Sequence, residues 1–106
     1  MANNFKNAKL DLTTTDVTTL YTAESATTAI FRSILVSDDS GSGDTITLTL
    51  TNGSDVFSIY KTKAITANST NELLTQPLVV GETEILKVTA ATANRLHVVA
   101  SYLEIT

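Results

Sequence analysis

No cysteine occurs among the 106 residues. Disulfides, thiolate metal sites and cysteine nucleophiles are thereby excluded, and stability has to come from packing. Tryptophan is also absent, and there are only three tyrosines and three phenylalanines. The exposed aromatic platform typical of carbohydrate-binding sandwiches has few candidates, Tyr21, Tyr60 and Tyr102, each in an alternating strand where packing explains it. His97 is the sole histidine. A zinc site needs three or four ligands, and a nucleophile–base–acid arrangement would rest wholly on this one residue; its apolar surroundings in sequence favour a packed or interface role. Lys and Arg total 7 against 11 acidic residues, a formal charge of -4, which gives no electrostatic reason to approach a phosphate backbone. No apolar run is long enough to cross a bilayer. The start, Met1-Ala2-Asn3-Asn4-Phe5-Lys6, lacks the basic stretch and apolar run of a secretory signal, so synthesis in the cytoplasm without export is expected.

What the chain does contain is threonine, about a fifth of all residues, and β-branched side chains suit pleated, half-buried surfaces. A chain of this length forms one domain that buries roughly 65% of its unfolded surface. Short apolar-alternating runs recur about every 10 residues with turn chemistry between them, and no segment has a helical period. The pattern predicts an all-β, single-domain antiparallel β-sandwich of about eight strands, jelly-roll-like or immunoglobulin-like, since both give similar turn spacing. The strands are expected near Phe5–Leu12, Val17–Thr22, Thr28–Ser37, Asp44–Thr51, Val56–Ala64, Asn71–Val80, Glu84–Ala90 and Arg95–Ile105. Residues 1–12 form a first strand or a docking arm, and residues 13–106 the sandwich.

The stretch DTITLTLTNG defines a hairpin. Ile46, Leu48 and Leu50 share one face, and beyond Asn52-Gly53 the residues Phe57 and Ile59 match their parity. A two-residue turn pairs Leu48 with Phe57; a four-residue loop pairs Leu50 with Phe57. Either way Thr45, Thr47, Thr49 and Thr51 face outward beside Ser58, Tyr60 and Thr62, as a solvated face. Two other strands are apolar on both sides. Ile30, Ile34 and Val36 oppose Phe31 and Leu35, while Leu96, Val98, Ala100 and Tyr102 oppose Val99, Leu103 and Ile105. A sandwich strand needs one apolar face, so the second must meet either the N-terminal segment or another copy.

Little else carries chemistry. The loop SDDSGSGD offers Asp38, Asp39 and Asp44 as oxygen ligands for calcium, but its spacing is not that of an EF-hand, and a solvated connection is the better reading. No two carboxylates are placed for glycoside hydrolysis. The sequons at Asn52 and Asn68 need export to carry sugar. No motif implies a cofactor.

The opening MANNFKNA, the Thr-rich VTTLYTA, the strand SILVSDDSGSGDTITLTLT and the closing LLTQPLVVGETEILKVTAATANRLHVVASYLEI together resemble small virion structural proteins of tailed bacteriophages, notably marine phages and cyanophages. The resemblance spans nearly the whole chain. It is carried by strands and turns rather than by a catalytic signature. It implies a non-enzymatic virion component: a capsid decoration or cement protein that assembles as a homo-oligomer, a trimer first, on the major capsid protein, or else a neck, tail or fibre component. The surfaces expected to join copies or meet the shell are Phe5, Leu10, Phe31, Leu35, Val99, Leu103 and Ile105. A sugar-binding module using Tyr21, Tyr60 and Tyr102 is the reading from a different class. Neither nucleic acid nor membrane is an expected partner.

Overall fold

A computed structural model of the chain describes residues 2–106. Alternation becomes burial most directly in the last strand, where Leu96, Val98, Ala100 and Tyr102 are buried and Val99 and Ser101 are exposed. The strands are β1 (Asn3–Asp11), β2 (Thr18–Thr22), β3 (Thr28–Asp38), β4 (Asp44–Asn52), β5 (Asp55–Ile65), β6 (Thr70–Glu72), β7 (Leu78–Val80), β8 (Ile85–Ala90) and β9 (Leu96–Ile105). One sheet runs β1-β9-β3-β6, with β7 also pairing β3; the other runs β2-β8-β4-β5, and every pairing is antiparallel. Apart from the β4–β5 hairpin and the β6–β7 connection, the chain changes sheet at each connection. This is the strand order of a jelly roll, with β6 and β7 together filling one strand position, and it differs from immunoglobulin order.

The expected strand from Asn71 to Val80 is therefore two short strands. Leu73 N–H still donates to the Ile34 carbonyl at 2.9 Å, extending the ladder by one residue, but Leu74 N–H turns to Glu72 Oε2 at 3.2 Å, and the chain leaves the ladder before Pro77, a residue with no N–H to offer.

β3 departs from simple alternation. Its register against β9 shifts between Phe31 and Ser33, so Arg32 is an extra residue and the strand changes parity there. Ala29 and Phe31 point inward before the bulge, Ile34 and Val36 after it. Glu72 holds the bulge in place: its Oε2 accepts the Ile34 N–H at 2.7 Å and its Oε1 accepts the Ser33 hydroxyl. The expected grouping of Phe31 with Leu35 is thus overturned. Phe31 is wholly buried, edge-on to Tyr21 at 5.3 Å and stacked on Tyr102 at 4.7 Å.

The hairpin adopts the Leu50–Phe57 pairing, and the ladder continues to Asn52–Asp55. Gly53 leads the turn at φ 63°, a conformation open to glycine without the clash that Cβ causes. Two register shifts follow between Ile46 and Thr49. They place Tyr60 opposite Leu48, packed against the core instead of beside the threonines; Phe57, on the turn side of both shifts, is 57% exposed at the sheet edge. Thr62 adopts φ 49° in this irregular stretch, and its N–H donates to Thr47 Oγ1 at 3.0 Å. Thr47 therefore supplies a hydrogen bond to a bulge. Thr51, expected outside, is buried with its hydroxyl unpartnered.

The core lies between the sheets and includes Leu12, Phe31, Ile34, Ile46, Leu48, Leu86 and Leu96. Each fully buried large side chain contributes about 1.5–3 kcal/mol relative to exposure.

Candidate docking surface

Directly paired residues on neighbouring strands point to the same side of a sheet. On the side of the β1-β9-β3 sheet that faces away from the core, Phe5 pairs Leu103, Leu103 pairs Ile30, and Ile30 pairs Val79. Four strands thus form one apolar row. Phe5 is 79% and Val79 55% exposed, and Leu103 and Ile30 are half-buried. Four residues along β1 and β9, Lys9, Val99, Leu35 and Glu72 form the next such apolar-centred row, with Val99 and Leu35 exposed. Ser101 and Ser33 lie between the rows beside Arg32, and Ile105 flanks the first row on β9.

Phe5, Leu35, Val99, Leu103 and Ile105 therefore share one face. Leu10 and Phe31 do not belong there. Leu10 packs inward against the core opposite Val98, and Phe31 is turned inward by the bulge. Ile30 and Val79 complete the row in their place. Strict alternation assigned Ile30 to the core face, and only the bulge reverses that; Val79 becomes visible as an outward residue once the three-residue register of β7 is known.

The far end of the face is polar. His97 Nε2 lies 3.2 Å from Asp11 Oδ1 and its Nδ1 3.7 Å from Asp39 Oδ2, all three side chains being substantially exposed. Among the described residues no group of three or more His, Cys, Asp or Glu side chains is placed to hold a metal ion. The aspartates of the acidic loop instead serve the chain itself. Asp38 is buried, not solvated, and its Oδ1 accepts the Ser40 N–H and hydroxyl, both at 2.8 Å. Burial raises its pKa, but the hydrogen bonds from Ser40, Gly41 and Gly43 outweigh burial and hold the carboxyl below its usual value. Asp44 Oδ2 accepts the Thr92 N–H at 2.9 Å.

The tyrosines nominated for sugar do not form a platform. Tyr21 and Tyr102 are buried and pack on each other at 4.8 Å, and Tyr60 is half-buried under Lys63. Tyr21 donates its hydroxyl to Glu104 Oε2 at 2.6 Å, and Lys6 Nζ meets Oε1 at 2.7 Å. The hydrogen bonds from Lys6 and Tyr21 pull Glu104 below the ordinary carboxylate range, while burial and the bond to Glu104 push Tyr21 up. This group closes one end of the sandwich and ties β1 and β2 to β9.

No protein-family model matches the chain, and no curated protein matches it.

Proposed function

We propose that the chain is a non-enzymatic bacteriophage virion protein, a capsid decoration protein that docks on the major capsid shell as a homo-oligomer and stabilises it. The observation that carries this reading is the apolar row Phe5–Leu103–Ile30–Val79 with Leu35 and Val99 beside it: a single copy exposes there the kind of surface that marks contact with another protein. The resemblance of the strands and turns to small virion proteins supplies the particle, and jelly rolls are common in capsid and lectin domains, which supports it by analogy alone. Three-fold placement between capsomers is the arrangement that the resemblance implies.

The test is binding to purified phage heads that lack the protein. Saturable binding that raises the temperature at which the heads release DNA is expected, with binding lost in Leu103→Asp. Binding to tails and not to heads would move the protein to the neck or tail; binding to neither would remove the virion reading.

A further inference from the structure

We propose that β1 pairs with β1 of a second copy, antiparallel about a two-fold axis at Asn7, so that two β1-β9-β3 sheets become one. The argument starts from the hydrogen-bond phase of the edge. Ala2 and Thr106 exchange N–H···O bonds in both directions, and Leu12 N–H donates to the Leu96 carbonyl. The β1–β9 register is continuous between these ends, and hydrogen-bonded pairs recur at every second residue of an antiparallel ladder. Asn4, Lys6, Ala8 and Leu10 therefore direct their main-chain groups to β9. Those of Asn3, Phe5, Asn7, Lys9 and Asp11 point to the open side, where among the described residues no strand pairs with β1.

The other sheet edges are blunted. β5 carries two register shifts, a positive φ at Thr62, and Lys61 and Lys63. β2 has five residues and a register shift, and β6 and β7 have three residues each. Bulges, lysines and shortness are the devices by which proteins prevent edge pairing. β1 has nine residues and no shift, and Lys6 is already engaged by Glu104.

The sequence of β1 is also self-complementary about Asn7. Antiparallel pairing there sets Asn7 against Asn7, Phe5 against Lys9 and Asn3 against Asp11 on the outer side, with Lys6 against Ala8 and Asn4 against Leu10 on the inner side. No like charges stand opposite each other. The Lys9 stem can cover the exposed Phe5 ring and set its ammonium over the ring face. Registers centred on Lys6 or Lys9 would oppose two lysines, which is unfavourable. The Asn7 register also makes the residues with open main-chain groups the hydrogen-bonded pairs. Because the pairing is two-fold, it closes a dimer, and any three-fold contact uses another surface. The inference rests on the edge alone and stands whether or not the chain is a virion protein.

The purified chain tests it by oxidative cross-linking and sedimentation. Hydrogen-bonded antiparallel pairs have Cα atoms about 5.5 Å apart, within disulfide reach, so Asn7→Cys is expected to convert mostly to a disulfide-linked dimer while Thr49→Cys, on the other sheet, does not. Asn7→Pro removes an N–H that β9 does not use; its circular dichroism should remain that of a β-sheet, and the dimer dissociation constant should rise about tenfold or more from the loss of the central pair. A wild-type chain that sediments as a monomer at millimolar concentration would overturn the proposal. So would Asn7→Cys cross-linking no faster than Thr49→Cys, or a dimer indifferent to a folded Asn7→Pro variant.

Discussion

The two outer faces of this sandwich are both made of antiparallel strands, yet they differ in kind. On the β2-β8-β4-β5 sheet the central outward rows are Thr19–Lys87–Thr49–Ser58 and Thr89–Thr47, with Ile85 and the exposed Val56 confined to the row of Thr51 at the hairpin end. On the β1-β9-β3 sheet they are Phe5–Leu103–Ile30–Val79 and Lys9–Val99–Leu35–Glu72. Threonine gives the first face strand propensity together with hydroxyls for water. The second keeps the propensity and gives up the hydroxyls. On the proposed function, the apolar rows of the β1-β9-β3 sheet are the docking side and the threonine rows of the other sheet the solvated side.

The contrast can be broken first at the inside of the apolar sheet. Phe31 is wholly buried and Phe5 is 79% exposed in the same sheet. Phe31→Ala should lower stability by about 3–5 kcal/mol, a fall of roughly 12–40 °C in Tm for a domain of this size, whereas Phe5→Ala should stay within about 0.5 kcal/mol. Thermal unfolding followed by circular dichroism separates the two. Next is Glu72, whose carboxylate fixes the bulge that sends Phe31 inward and Ile30 outward. Glu72→Ala leaves the Ile34 N–H without that acceptor and should cost about 1–2 kcal/mol, with Glu72→Gln retaining part of it, as urea titration would show.

A smaller effect is expected from pH. The hydrogen bonds from Lys6 and Tyr21 hold the Glu104 carboxyl below the ordinary carboxylate range in the folded chain. A carboxyl depressed in the folded state adds stability that is fully present above the unfolded value and drains away as pH falls through the lowered one. Tm should therefore drop on acidification below the ordinary carboxylate range, and Glu104→Gln should flatten that limb while lowering the plateau near neutrality. An acid limb identical in Glu104→Gln would assign the loss to other carboxylates, Asp38 among them.

Much of this was legible in the residues. β9 follows its alternation from Leu96 to Tyr102 without interruption, and the hairpin takes one of the two registers that Ile46, Leu48 and Leu50 allowed. Local pattern failed where a distant group intervened. The bulge at Arg32 depends on Glu72, far along the chain, and it moved Phe31 from the joining face into the core. The register shifts of β5 did the same for Tyr60. Thr51 shows the limit from the other side: a threonine in perfect alternation with its outward neighbours is nevertheless buried. Choosing between jelly-roll and immunoglobulin order needed the sheet partners, which turn spacing does not contain.

The most direct measurement is sedimentation velocity across a concentration series for the wild-type chain, Phe5→Asp and Thr49→Asp. If the apolar face joins molecules, the wild type and Thr49→Asp associate with rising concentration beyond the edge-paired dimer, and Phe5→Asp, equally well folded, goes no further than that dimer. Equal association by all three, or none beyond the dimer by the wild type, would contradict the assignment of that face.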